Sequence, residues 1–245
     1  MINFSKGIVL IKNLYVVKKS YEKIILLSHM RSRSSVLSHI LGSHDEIAGY
    51  YEQHQRHADL FFEIKVKANL LLDNNLSSQH RYLYDKVLHE RFDPKSLQDY
   101  KVIVLIRQPS STLKSLMSMG GITNSLWGKD PYRAFAYYCQ RLQSITDIVE
   151  KNNIDVCFVK ADDLVEKTDY VLNEISIFLD LSYPLSSHYR LFDKTGKAIY
   201  GDTSDNIKLG SIVKTENNIT VDVPDELLDI AKYYYERCKD LCSKI

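Results

Sequence analysis

The chain has 245 residues, 44% hydrophobic and 26% charged, which is the length and composition of one soluble α/β domain with a sizeable core. Lysine and arginine number 32 against 31 aspartate and glutamate, and a net charge of +1 excludes the broad basic surface that nucleic acid or an anionic membrane would demand. The four cysteines, Cys139, Cys157, Cys238 and Cys242, have no zinc or redox spacing, so they read as structural thiols in a reducing cytoplasm.

Near the start, the run G-I-V-L-I-K-N-L-Y-V is broken by Lys12 and followed by Lys18-Lys19. It has no small-residue cleavage site and too few apolar residues to cross a bilayer, so neither a signal peptide nor a membrane span is expected. Ile24 to Leu27 is a short branched apolar run, expected as a buried strand. Ser28 to Ser35 follows with two arginines and four serines, and then Val36, Leu37, Ile40 and Leu41 fall on a helical stripe that Gly42 can end. Strand, polar loop and helix build an anion cradle, because N–H groups at a helix start are unpaired and the helix dipole favours negative charge there. Arg31 and Arg33 add forked donors suited to phosphate or sulfate oxygens. A serine-capped helix with solvated arginines would read the same way.

Asp45 to His57 carries Gly49, which permits a turn, and then Glu52, His54 and His57, the last expected on a helix surface. Ala58 to Leu72 is expected as a scaffold helix, Asp73 to Gln79 as a polar connector and Tyr82 to His89 as a strand. Val102 to Ile106 is an unbroken branched run, as in a parallel strand covered on both faces. It ends in Arg107, where open α/β sheets bind ligands, and Ser115 lies on the helix after it with Leu113, Leu116 and Met117. Met119 to Asp130, with paired glycines and the only tryptophan, is expected as a loop bordering an acceptor pocket. A helix over Tyr132 to Glu150, a strand over Ile154 to Val159 and a helix over Val171 to Leu179 follow. From Ser186 the chain is loop-like, until Pro224 and Asp225 open a last helix whose tyrosines at 233, 234 and 235 serve packing or an interface.

The two polar loops together resemble the sulfotransferases that use 3′-phosphoadenosine 5′-phosphosulfate (PAPS). In that family a strand-loop-helix with K/R-S-G-T/S-T/S holds the 5′-phosphosulfate. Arg31-Ser32-Arg33-Ser34-Ser35 is similar to it, except that Arg33 stands at the glycine position. If that position needs a positive φ, either the loop differs or Arg33 is itself a ligand. A later strand ending in arginine, with serine eight residues on, holds the 3′-phosphate in the family, and Arg107 with Ser115 matches it. Lys208, near Gly210, is a weak match to the C-terminal loop that folds over the nucleotide.

The resemblance implies an α/β, three-layer P-loop-like fold with a central, mostly parallel sheet flanked by helices, as a single sulfotransferase domain over residues 1–245. It implies transfer of a sulfuryl group from PAPS to a hydroxyl or amine of an acceptor, with adenosine 3′,5′-bisphosphate as product and no metal, while the small size, near-neutral charge and lack of an anchor point to a small-molecule acceptor, a specialised metabolite. Arg31 contacts the leaving group on this reading. The base is Glu52, placed like the carboxylate of some bacterial carbohydrate sulfotransferases, or else His89. Lys86 and His89 resemble the family's K-T-H pair with one extra residue between them. A carbohydrate or glycolipid acceptor is the alternative, as are a non-catalytic nucleotide-binding protein and a P-loop kinase, although Ser28 to Ser35 lacks the glycines and lysine of a P-loop. The lack of an anchor points to a cytoplasmic, bacterial-type member, either monomer or homodimer.

Overall fold

A computed structural model describes residues 4–123, 130–214 and 222–243. Its centre is a sheet of five parallel strands in the order β2-β3-β1-β4-β5. These are β1 (Glu22–Ser28), β2 (Ile47–Ala48), β3 (Tyr82–Val87), β4 (Tyr100–Ile106) and β5 (Val156–Lys160). The branched runs are continuous because the sheet is buried on both faces. On one face Ile25 and Leu27 of β1 and Val102, Val104 and Ile106 of β4 pack against α5 (Pro109–Thr123), α6 (Pro131–Asn152) and α9 (Asp225–Cys242). On the other, Ile24, Leu26, Ile103 and Leu105 meet α3 (Ser34–Gly42) and α8 (Thr168–Leu179). This is the three-layer α/β arrangement expected, with every strand pair parallel.

Two short helices that no sequence pattern above anticipated, α1 (Phe4–Lys12) and α2 (Leu14–Lys18), use Val9, Leu10, Val16 and Val17 to pack beside α4 (Phe62–Leu72) at the sheet edge. α4 starts four residues later than the apolar spacing suggests, after turns over 57–61. His57 is consequently buried in front of α4 rather than displayed on its surface, with its side chain 1% exposed. The last five residues of α5, 119–123, are helix where a loop was expected, and 124–129, with Trp127, lie outside the described residues.

Gly42 does not end its helix through a left-handed turn, since the capping residue, Ser43, has φ −85°. A Cβ at Gly42 would lie 2.5 Å from the carbonyl oxygen of Gly49, so this glycine exists for close approach. Gly49 does make the expected turn, at φ +110°, with a Cβ position 2.4 Å from the Tyr84 oxygen. Together these contacts press the segment that carries Glu52 onto the end of β3.

The chain leaves β1 for β2 and β3 on one side and for β4 and β5 on the other, so the crevice at the carboxyl ends opens around β1. Arg141 of α6, fully buried, locks that edge. It donates to Ser28 O of β1 at 2.9 Å and to Val87 O of β3 at 3.0 Å, and pairs with Asp93 at 2.7 Å.

Candidate active site

The loop between β1 and α3 is pinned from below. Ser28 Oγ donates to Leu105 O at 2.6 Å and shares a second bond with Ser32 Oγ, also at 2.6 Å. The Ser32 side chain is thus fully buried and spent on the loop itself. Arg31 and Arg33 both have positive φ, 65° and 67°. The backbone therefore keeps a glycine-like conformation at Arg33, at a cost of about 1–2 kcal/mol for a residue with a Cβ. Part of that is offset at the far end of the side chain, where Arg33 Nη1 donates to Ala161 O at 3.0 Å and lies 3.6 Å from Asp162.

Arg31 and Arg107 meet across the sheet. Arg107 Nη1 donates to Arg31 O at 3.2 Å, and Arg31 Nε donates to Ser115 Oγ at 2.8 Å. Arg107 is only 6% exposed, and its Nε–H has no hydrogen-bond acceptor. Burial and the neighbouring Arg33 push its pKa down to about 10, partly opposed by Asp162, whose carboxylate is 3.8 Å away. A buried guanidinium with an unused donor and two arginine neighbours is a site short of an anion. His29, which carried no sequence signal, holds the base of this cluster. Burial lowers its pKa to about 4, and the neutral ring accepts the Arg107 N–H at Nε2, 3.0 Å away.

The arginines, Ser34, Ser35 and Ser115 line one part of a cavity of about 500 Å³, and Glu52, His54, Lys86 and His89 line another. Lys86 projects from β3, is 1% exposed and donates to Ser35 Oγ at 3.3 Å. Burial lowers its pKa, against the pull of Glu52, Asp85 and Asp202. Glu52 is 6% exposed, and its Oε1 has no hydrogen-bond donor, with His54 Nδ1 3.5 Å away. Burial holds the Glu52 carboxyl above its ordinary pKa, with Lys86 and His54 drawing it back. His89 is past the end of β3, with its ring centre 5.5 Å from that of Tyr137. Burial, with Arg91 and Arg141, pushes it down to about 4.

Lys208 is not brought to this cavity. Its amine pairs with Asp205 at 2.9 Å, while Ser204, Asn206 and Ser211 of the same segment do line the cavity. Asp202, given no role by sequence pattern, lies 3.7 Å from Arg31, and its N–H donates to Ser35 Oγ at 3.1 Å. Among the described residues, no group of His, Cys, Asp and Glu could hold a metal ion, and no helix is long and apolar enough to cross a membrane.

No family model and no curated protein matches the sequence. Solved structures do match the fold. A sulfotransferase domain from the curacin biosynthetic pathway superposes over 89% of this chain and 99% of that one, with a TM-score of 0.58 and 18% identity. A sulfotransferase from Alicyclobacillus acidocaldarius superposes over 92% and 96%, with a TM-score of 0.55 and 12% identity. The chain has the sulfotransferase fold.

Within the sulfotransferase fold described here, the cradle after β1 and the arginine ending β4 share one crevice because β1 and β4 are adjacent, with Ser28 level with Leu105. The α/β, three-layer expectation from the resemblance is met. Two features of this chain stand apart from the motif pattern: an arginine holds the left-handed position in the first loop, and a buried histidine backs Arg107.

Proposed function

We propose that the chain is a PAPS-dependent sulfotransferase acting on a hydroxyl or amine of a small-molecule acceptor, a specialised metabolite. The observation that carries the reading is a single cavity with unmet needs of opposite kind. Arg107 contributes a buried N–H without an acceptor, and Glu52 a buried carboxylate oxygen without a donor. A phosphorylated donor answers the first, and an acceptor O–H or N–H answers the second.

The bound donor supplies an activated sulfuryl group and an adenosine bisphosphate leaving group. Arg107 and Ser115 hold its 3′-phosphate. Arg31, Ser34, Ser35 and the N-terminal N–H groups of α3 hold the 5′-phosphosulfate and offset the charge that gathers on the leaving side. Lys86, bonded to Ser35, adds a cation at the same end. Catalysis is then positioning and electrostatic stabilisation, as in phosphoryl transfer.

Glu52 is the base. Burial moves the two candidates in opposite directions, raising the Glu52 carboxyl and lowering the His89 imidazole to about 4. A base works best with a pKa near the operating pH, so burial improves Glu52 and weakens His89. His89 is left to contact the acceptor as a neutral ring. Against the kinase reading stands a loop with no glycine or lysine between Ser28 and Ser35. A cytoplasmic location and a site independent of metal belong to the same proposal.

The test is thermal and then chemical. PAPS and adenosine 3′,5′-bisphosphate should raise the melting temperature, and ATP with Mg²⁺ should do much less. Incubation with PAPS and a panel of small hydroxyl and amine acceptors should yield a product heavier by one SO₃. Equal stabilisation by ATP and Mg²⁺ would favour the kinase. Bisphosphate binding without turnover on any acceptor would favour a non-catalytic binder.

A further inference from the structure

Glu52 and Lys86 come from different segments, and one buried carboxylate joins them. β2 ends at Ala48, its last residue paired with β3, so the chain beyond runs beside β3 without a ladder. There the N–H of Gln53, next to Glu52, and the N–H of Lys86 both need an acceptor, and two donors cannot satisfy each other. Asp85 Oδ1 accepts both, at 2.9 Å from Gln53 N and 2.8 Å from Lys86 N.

The other carboxylate oxygen is fixed as well. His57 Nε2 lies 2.9 Å from Asp85 Oδ2, and His57 Nδ1 lies 3.0 Å from the Tyr100 hydroxyl. The ring stacks on Phe62 with centroids 3.9 Å apart. Asp85 is 5% exposed, accepts three hydrogen bonds and does not line the cavity.

We infer that Asp85 is a positioning residue: it replaces the missing ladder between the Glu52 segment and β3 and so fixes how Glu52 and Lys86 face the same cavity. The inference rests on the reading of Glu52 as the base. It also gives Asp85 an electrostatic part. Glu52 faces Lys86 and Asp85 from β3, His54 from its own loop and Arg141 from α6, and the Asp85 charge is among the causes that raise its pKa. Lys86 faces Glu52, Asp85 and Asp202, each of which favours its charged form.

Three variants of the full chain separate position from charge. Asp85→Asn keeps an oxygen for the two N–H groups, and its amide can donate to His57 Nε2 once the ring proton moves to Nδ1. Only the charge is lost. The Glu52 side-chain carboxyl, followed by ¹³C NMR and assigned by its disappearance in Glu52→Gln, should then titrate at lower pH than in the parent. The acid limb of kcat should move the same way. Asp85→Ala removes the acceptor and should cut kcat by about 10²-fold through misplacement, with adenosine 3′,5′-bisphosphate still bound in the cradle. If Asp85→Ala does not fold, amide hydrogen exchange in the parent decides instead: the Gln53 and Lys86 N–H groups should be protected like the β3 ladder, and fast exchange at both overturns the inference. Wild-type kcat in a folded Asp85→Ala overturns the positioning role, and an unmoved Glu52 midpoint in Asp85→Asn overturns its electrostatic part. Wild-type turnover by Glu52→Gln overturns the assignment of the base instead, and the two failures are read from different variants.

Discussion

Arg31 Nε donates to Ser115 Oγ at 2.8 Å, which ties the loop after β1 to the helix after β4. Both groups belong to the motifs that suggested separate phosphate contacts, and in this structure each is the other's partner. One hydrogen bond thus joins the two motifs, and Arg107 Nη1 donating to Arg31 O makes the two arginines one cluster.

Arg107→Ala should weaken adenosine 3′,5′-bisphosphate by an order of magnitude or more, as expected for a lost charge-assisted contact. A nucleotide without the 3′-phosphate should lose far less. Calorimetric titration of both ligands checks this, and equal losses would return Arg107 to a structural pairing with Asp162.

Arg33 allows a test of backbone strain. Arg33→Ala and Arg33→Gly both lose the bond to Ala161 O, so their difference isolates the left-handed backbone. The glycine variant should be more stable than the alanine variant by about 1 kcal/mol, net of its greater freedom when unfolded. Urea unfolding of the pair measures it, and equal midpoints would mean that the loop relaxes to a negative φ.

Glu52→Gln should lower kcat by about 10²–10⁴-fold with bisphosphate affinity nearly unchanged. His89→Asn should act mainly on acceptor KM. Steady-state kinetics on any acceptor that turns over will show which variant carries the loss, and a large kcat loss in His89→Asn alone would reverse the roles.

The fold should weaken below neutral pH. His29, His39 and His89 are held at about 4 in the folded chain against an ordinary 6.5, mainly by burial. Between those values the unfolded chain binds more protons, so stability is complete above 6.5 and falls as pH drops toward 4. Each unit of difference is worth about 1.4 kcal/mol. Glu52, raised by burial, acts in the opposite sense, but one carboxyl stands against three imidazoles. The urea midpoint should be lower at pH 5 than at pH 7, and a flat profile would mean that the histidines open to solvent without unfolding.

Much of this architecture was legible in one dimension. The two central parallel strands are buried on both faces and carry continuous apolar runs, so Ile24 to Leu27 and Val102 to Ile106 announce themselves, as do the arginines that follow each. The edge was harder to read. β2 has only two residues and no pattern of its own, while α1 and α2 take their places by packing against α4.

The sequence by itself determined the parallel α/β sheet, the two cationic loops and the glycine turn ahead of Glu52, because all three are local demands on burial, charge and backbone conformation. Tertiary structure alone decided the rest. It turned His57 inward to Asp85, set His29 behind Arg107 and left Lys208 on the surface with Asp205. It also buried both Glu52 and His89, which raises a carboxyl and lowers an imidazole, and burial is a property of the packed chain that no spacing records.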